Sequence, residues 1–391
     1  MLGSVLYLGL VGYGGPAVLA QMKRIFTKEH DWFTEAEFMN ALSLAQILPG
    51  ATQVSMMAYF GYRKYRHWGG VFFPIIYVTP AVAAVIAVSW AYFNYGTLSF
   101  VQPLFVGLGA LVVALLLNAS LALGRSAFRG NVAELIKGGV IAALTFLGMY
   151  VFSLNVMWLI LAAGLTGGAL FYGDRGSSSR QAAQDATEVP SPRPSLRVAP
   201  EHAPLIITAA VAALMIAFSA TRSLFVRFLQ IGLLAFGGGF AAVPLIQHIV
   251  VDQLHWLSFM QFRDGIAIGQ ITPGPVFITA TFIGYKVFGI VGALVATFAI
   301  FLPSVLLMIS LVSVHERFKH LRIVQAVIRG FLFAFIGLLA AVTLQFALRS
   351  LISWQTWLIF GAVFIWVGYL KKNAIWAILG TVAFSLMAIG R

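Results

Sequence analysis

Apolar runs close to the roughly 20 residues that span a bilayer recur along the whole 391-residue chain, and no stretch between them is long enough to fold alone. That pattern makes the membrane the medium of the fold. Charged residues are 9% of the chain against the roughly 25% of a soluble domain, and the mean hydropathy is +0.93. The first residues open directly on an apolar run, without a basic n-region or a small-residue cleavage site, so they are expected to form a membrane segment and not a signal peptide.

The net charge of +13 arises from 25 Lys and Arg that sit in short clusters between apolar runs. Such clusters are topology signals, and nucleic acid is not an expected partner. Zero cysteines exclude disulfides, thiolate metal sites, iron-sulfur clusters and cysteine nucleophiles. The seven histidines have no ligand spacing and no phosphate-binding loop is present. No metal, no cofactor and no enzymatic activity are therefore expected.

Candidate membrane segments lie near 1–20, 38–60, 70–93, 100–123, 133–151 and 154–172, and then near 204–220, 224–250, 264–285, 288–313, 325–347, 352–369 and 373–390. Between these groups, Ser177, Ser178, Ser179 and the prolines 190, 192, 194 and 200 mark a polar stretch that cannot bury a core. The reading is a first membrane repeat over 1–173, a flexible cytoplasmic linker over 174–203 and a second repeat over 204–391.

The halves repeat at an offset of 223 to 224 residues. Tyr13-Gly14-Gly15 answers Phe236-Gly237-Gly238, Trp32 answers Trp256, and Gln46 to Gly50 answers Gln270 to Gly274. Further on, Gly61 matches Gly284, Pro80 matches Pro303 and Arg125-Ser126 matches Arg349-Ser350. Apolar composition alone would not keep Gln, Trp, Pro, Gly and Arg in phase. On the thirteen-segment path, 17 of the Lys and Arg fall on one side and 8 on the other, which sets the N-terminus in the cytoplasm and the C-terminus outside it. Segment 204–220 gives matching segments opposite parity. The expected fold is thus an all-α polytopic membrane protein of two inverted-topology repeats, with about 13 membrane segments and broken helices, in a bacterial inner (plasma) membrane.

Gly14, Gly15 and Pro16 in one half, and Gly237, Gly238 and Gly239 in the other, interrupt apolar segments. Freed backbone groups there cost several kcal/mol each unless they are buried in protein or line a water-filled cavity. Half-helix N-termini present amides and a positive dipole end to an anion; the alternative is that these glycines only let helices pack closely. The second pair of interruptions is Gln46, Pro49, Gly50, Thr52 and Gln53, matched by Gln270, Thr272, Pro273, Gly274 and Pro275. Proline removes an amide and kinks the helix, and Gln and Thr offer neutral donors to an oxyanion, or else bond between helices.

Arg125 and Arg349 hold matching positions, where a guanidinium could bind a tetrahedral oxyanion through two donors or anchor at the interface. Carboxylates are expected only in loops, in the linker and at segment ends. Glu35, Glu37 and Asp264, just ahead of the Gln-Pro-Gly breaks, are the candidates for proton coupling, with a helix-start role as the alternative.

At these residues the sequence resembles the chromate ion transporter family, whose members carry a Phe-Gly-Gly-Pro and a Gln-X-X-Pro-Gly-Pro motif. The motifs stand here as Tyr13 to Pro16 and Phe236 to Gly239, and as Gln46 to Ala51 and Gln270 to Pro275. The resemblance implies a long-chain, two-domain member that exports chromate, with sulfate as competitor. A carrier of sulfate or another oxyanion, running inward with protons, is the rival within transport. Leu19, Ala51 and Gly239 depart from the family pattern, which carries His, Pro and Pro there. A homodimer is compatible with this reading.

Overall fold

The computed structural model describes residues 1–12, 15–96, 98, 101–128, 132–172, 208, 219–312 and 322–389. Tyr13, Gly14, the linker 174–203 and most of segment 204–220 lie outside the described residues. Among those described there is no strand. The first half contains α1 (Leu2–Val11), α2 (Gly15–Lys23, continued by a π-helix Arg24–Glu29), α3 (Glu35–Ile47), α4 (Thr52–Tyr95), α5 (Val101–Ala127), α6 (Val132–Tyr150) and α7 (Val156–Phe171). The second contains α8 (Ser219–Leu234), a 3-10 turn Gly239–Ala241 into α9 (Ala242–Gln247, continued by a π-helix His248–Gln253), and α10 (Phe259–Ile271). A 3-10 turn Val276–Ile278 then leads into α11 (Thr279–Val312), followed by α12 (Arg322–Ser350), α13 (Trp354–Val363, continued by a π-helix Phe364–Tyr369) and α14 (Ala374–Ala388). Five helices among the described residues are long and apolar enough to cross a membrane.

The two halves match down to single backbone angles. The π-helices of α2 and α9 occupy equivalent positions and end in equivalent bonds, Trp32 N–H to Phe26 C=O and Trp256 N–H to Val250 C=O, both 2.9 Å. Asp31 and His255, also equivalent, adopt φ of 47° and 49°. The next helices start with matching capping boxes, Thr34 with Glu37 and Ser258 with Gln261. Each box satisfies two amides that a helix start leaves bare.

A 44-residue helix would be ~66 Å long at 1.5 Å per residue, twice a bilayer core. α4 avoids this by reversing at Tyr65–Arg66 (Arg66 φ 57°, ψ −144°), and α11 reverses in the same way at Phe288–Gly289 (Gly289 φ 58°, ψ −145°). Gly61 and Gly284 make the reversals sterically feasible: a Cβ on either would run into the carbonyl of Gly69 or Gly292 across the turn.

The expected segments 38–60 and 264–285 are not continuous helices. Each is a hairpin of two short limbs with the Pro-Gly break at its tip. In the first half, Phe38 stacks on Phe60 and Glu37 pairs with Arg63. In the second, Gly265 packs on Phe282 and Gly269 on Thr279. In both, the partner's number falls as the first rises, which is antiparallel packing.

The halves are interlocked. α12 packs against α5, α6 and α7, whereas α5 packs against α13 and α14. The last two helices of each half thus lie on the opposite half's long helix. Ser120 and Thr343 meet at 3.5 Å between α5 and α12. Glycines permit the close crossings: Gly167 and Gly330 face each other, and Gly337 abuts the Ala142 carbonyl.

Candidate functional site

The breaks of both halves converge, and each half closes the other's. Gly50 N–H donates to the Ala235 carbonyl at 2.8 Å, and its equivalent Gly274 N–H donates to the Gly12 carbonyl at 2.9 Å. Two carbonyls at helix ends thereby gain partners. The Gly50 tip (φ 100°) packs on Ser304, whose Oγ accepts from Ala51 N–H at 3.1 Å. The Gly274 tip (φ 123°) packs on Ala81, the equivalent of Ser304. Gly239 lies against Val276, which brings the two breaks of the second half together.

The helix starts at these breaks differ from those at the loops. α3, α10 and α13 begin with capping boxes, and α7 and α14 begin with Asn155 and Asn373 accepting from the second helical amide. The starts behind Ala51, Gly238 and Pro275 have no side-chain cap. Helix starts that lack a cap from their own N-cap residue can offer amides and a positive dipole end to an anion, although the Ala51 N–H is already taken by Ser304 Oγ. Gln270, at the head of the second tip, carries a buried Nε2 without a hydrogen-bond partner, while Thr272 spends its hydroxyl on its own helix (Ile268 carbonyl, 3.0 Å).

The two tips are unequally open. Pro49, Gly50, Ala51 and Gln53 are buried and Thr52 half-buried, whereas Gln46 is exposed. On the other side Pro273, Gly274 and Gly237 to Gly239 are half-exposed, Pro275 is buried, and open space surrounds the Gly238 α-carbon at φ 99°. Gly15 and Pro16 open α2, and Gly14 lies outside the described residues.

Other candidates are not at the breaks. Arg125 and Arg349 are exposed on the last turns of α5 and α12. The Arg349 guanidinium sits 4.3 Å over the Phe259 ring, and Phe259 starts the helix whose far end carries the break, ~18 Å away at 1.5 Å per residue. Glu35 pairs with Lys23 at 3.3 Å and Glu37 with Arg63 at 2.7 Å, both at the mouth of the first hairpin. Burial pushes the Glu37 carboxyl up, but the Thr34 amide and the Arg63 guanidinium outweigh it and hold its pKa below the usual glutamate range.

Asp264 corrects the expectation that no carboxylate is buried. It lies inside α10, 6% exposed, beside Arg263 at 4%. Asp264 Oδ1 accepts from Arg263 Nε at 3.0 Å and Nη2 at 2.8 Å, and Oδ2 accepts from the Tyr92 hydroxyl at 2.8 Å. Arg263 spans Gly109 of α5, where a Cβ would meet its side chain at 2.9 Å. Arg263 is thus a core residue and not a loop cation. In the first half the equivalents are the exposed Met39 and Asn40, so the pair belongs to one half only. Glu134 is buried too, with Arg329 at 3.8 Å.

Sequence reasoning also missed Ser304, Tyr92 and the buried Gln247, which donates to Gln345 at 2.6 Å. Ser304 had one legible signal, its place after Pro303 where Ala81 follows Pro80. Among the described residues no group of His, Asp or Glu is arranged to hold a metal ion.

Residues 1–168 and 222–386 match the family model described as chromate transporter. An uncharacterized transporter of Methanocaldococcus jannaschii is 31% identical over 383 residues, which cover 96% of this chain and 90% of that protein. The chromate transport protein of Cupriavidus metallidurans is 32% identical over 353 residues, 90% of this chain and 83% of that one. A probable chromate transport protein of Synechococcus elongatus is 31% identical over 355 residues, 90% and 86% of the two chains. No solved structure matches.

Proposed function

The chain belongs to the chromate transporter family, and from that premise we propose that it exports chromate across an inner (plasma) membrane through the site where the four breaks meet. The observation that carries this reading is a set of helix starts without caps from their own N-cap residues, together with a Gln270 side chain whose buried Nε2 has no hydrogen-bond partner. A tetrahedral dianion supplies acceptors for such donors, and neutral donors hold it without a buried cation that would trap it. Sulfate has the same charge and shape and competes.

An inverted repeat fits the packing. α6 runs alongside α12 in the same sense, since Gly138 meets Phe333 and Gly337 meets Ala142; α5, joined to α6 by a short connection, then runs against its own equivalent. α8 follows the second limb of α11 from Phe225–Phe298 to Gly232–Pro303. It therefore enters the break from the end to which α9 returns. With both N-terminal pairs turning back, Lys23, Arg24, Lys28, Arg63, Lys64 and Arg66 gather on one face, which the excess of positive charge makes the cytoplasmic one. The redrawn path leaves the N-terminus inside and the C-terminus outside.

Two halves rocking as separate bodies would break both tip bonds. The moving unit is instead the interlocked core of α1, α3, α4, α8, α10 and α11 against a frame of α5 to α7 and α12 to α14. Exit of a dianion from a negative-inside cell is favoured by about 4–5 kcal/mol per 100 mV. Asp264 is the proton-coupling candidate, because its partners come from both halves and an intramembrane carboxylate is functional by default. The test is chromate flux into everted vesicles, with potential and pH gradient collapsed separately. Gln270→Ala in folded protein cuts flux at least tenfold, and Asp264→Asn removes the response to the pH gradient alone. Normal flux in Gln270→Ala refutes the site.

A further inference from the structure

A polar cavity of about 820 Å³ lies away from the breaks, between the C-terminal ends of α6 and α12, the π-helical end of α9 and the start of α10. On the thirteen-segment path residues 151–154 and 251–263 would face opposite sides. Ser153, Leu154, Asp252 and His255 nevertheless line this one cavity, because α9 returns to the face from which α10 leaves. α9 starts at the break, and its Gln247 and His248 reach the cavity ~12–14 Å along it.

Three features set the cavity apart from a lipid-filled gap. Its wall is mainly polar and includes Arg349, held over Phe259 so that the cation is positioned. The buried His248 Nε2 has no hydrogen-bond partner, which points to a ligand or water in contact with it, while the buried and equally unpartnered Gln247 Oε1 is an acceptor that calls for a donor such as water and not for an anion. On the side toward the break, Gln247 and Gln345 close the space through their 2.6 Å bond between α9 and α12. Asp252, 3.8 Å from His248 Nδ1, is the acidic group lining the cavity beside His248, and His255 Nδ1 is engaged with the Val251 carbonyl at 2.7 Å.

We propose that this cavity is a second anion station, an outer vestibule where Arg349 and His248 hold a small divalent oxyanion on its way through the Gln247–Gln345 constriction. The inference rests on the transport reading above. It moves Arg349 from the central site to the vestibule. A hydrated dianion fits the volume, and a single guanidinium at an open mouth attracts anions while releasing them readily.

The test is equilibrium dialysis of labelled chromate against the purified full chain, together with flux in proteoliposomes across a range of salt. Wild type binds two chromates per chain. Arg349→Gln and His248→Asn each lose one of these and keep the other, and Gln270→Ala loses the other one. In flux, Arg349→Gln raises KM about five- to tenfold and flattens the salt dependence, and Arg349→Lys recovers most of both. One chromate per wild-type chain, or unchanged KM and salt dependence in a folded Arg349→Gln protein, overturns the vestibule and leaves the central site standing. Wild-type protein that neither binds nor moves chromate overturns both.

Discussion

The chain carries its own control for the buried pair in α10. Asp264→Asn leaves the Arg263 guanidinium, whose side chain is 5% exposed, without an anionic partner, and breaking a buried pair from one side costs about 3–5 kcal/mol. Tyr92→Phe removes only one charge-assisted hydrogen bond, about 1.5–3 kcal/mol. Arg263→Met with Asp264→Asn copies Met39–Asn40 of the first half and removes both charges, a replacement that is often neutral. At roughly 2 °C per kcal/mol, thermal unfolding of the detergent-solubilised protein should fall by about 6–10 °C for Asp264→Asn and about 3–6 °C for Tyr92→Phe. The double variant should melt within a few degrees of wild type. If the double variant melts as low as Asp264→Asn, the stranded charge is not what destabilises, and the reasoning fails.

Three further outcomes are expected. Gly274→Ala places a side chain at φ 123° with its Cβ 2.8 Å from that of Ala81; it costs about 1–3 kcal/mol, and adding Ala81→Gly recovers only the steric part, as read by melting. Glu37→Gln keeps the helix cap but loses the Arg63 pair, an effect below about 1 kcal/mol at neutral pH. Because the Glu37 pKa is lowered, its contribution is complete above the ordinary glutamate range and disappears as pH falls through the lowered value, so wild-type and Glu37→Gln melting curves should converge in acid. In this cysteine-free chain, single cysteines replacing the exposed Tyr65 and Phe288 should react with impermeant thiol reagents from opposite membrane faces, whereas those replacing Phe152 and Ile352 should react from the same face.

The repeat register, the motif positions and the helix-breaking tips were legible because Gly, Pro and Gln stand out in an apolar background and recur in phase. The path of the chain was not. Two 13-residue limbs around Pro49-Gly50 have the same hydropathy as one spanning helix, and what separates them is the tertiary packing of Phe38 on Phe60. Arg263 and Asp264 read as boundary charges because Ser258 starts the helix only five residues earlier; their burial depends on Gly109 and Tyr92, more than 150 residues away in the chain. Arg125 and Arg349 were placed by register alone, and register does not say what a long side chain stacks on.

The exchange of tip contacts also sets an order in time. The Gly50 amide waits for Ala235 and the Ala51 amide for Ser304, which follows it by 253 residues. At roughly 5–20 residues per second that interval is on the order of 13–50 s of synthesis. During it the first hairpin tip sits in the bilayer with its amides unmatched, so the early half of the nascent chain is the one that needs shelter in the insertion machinery until the later half arrives.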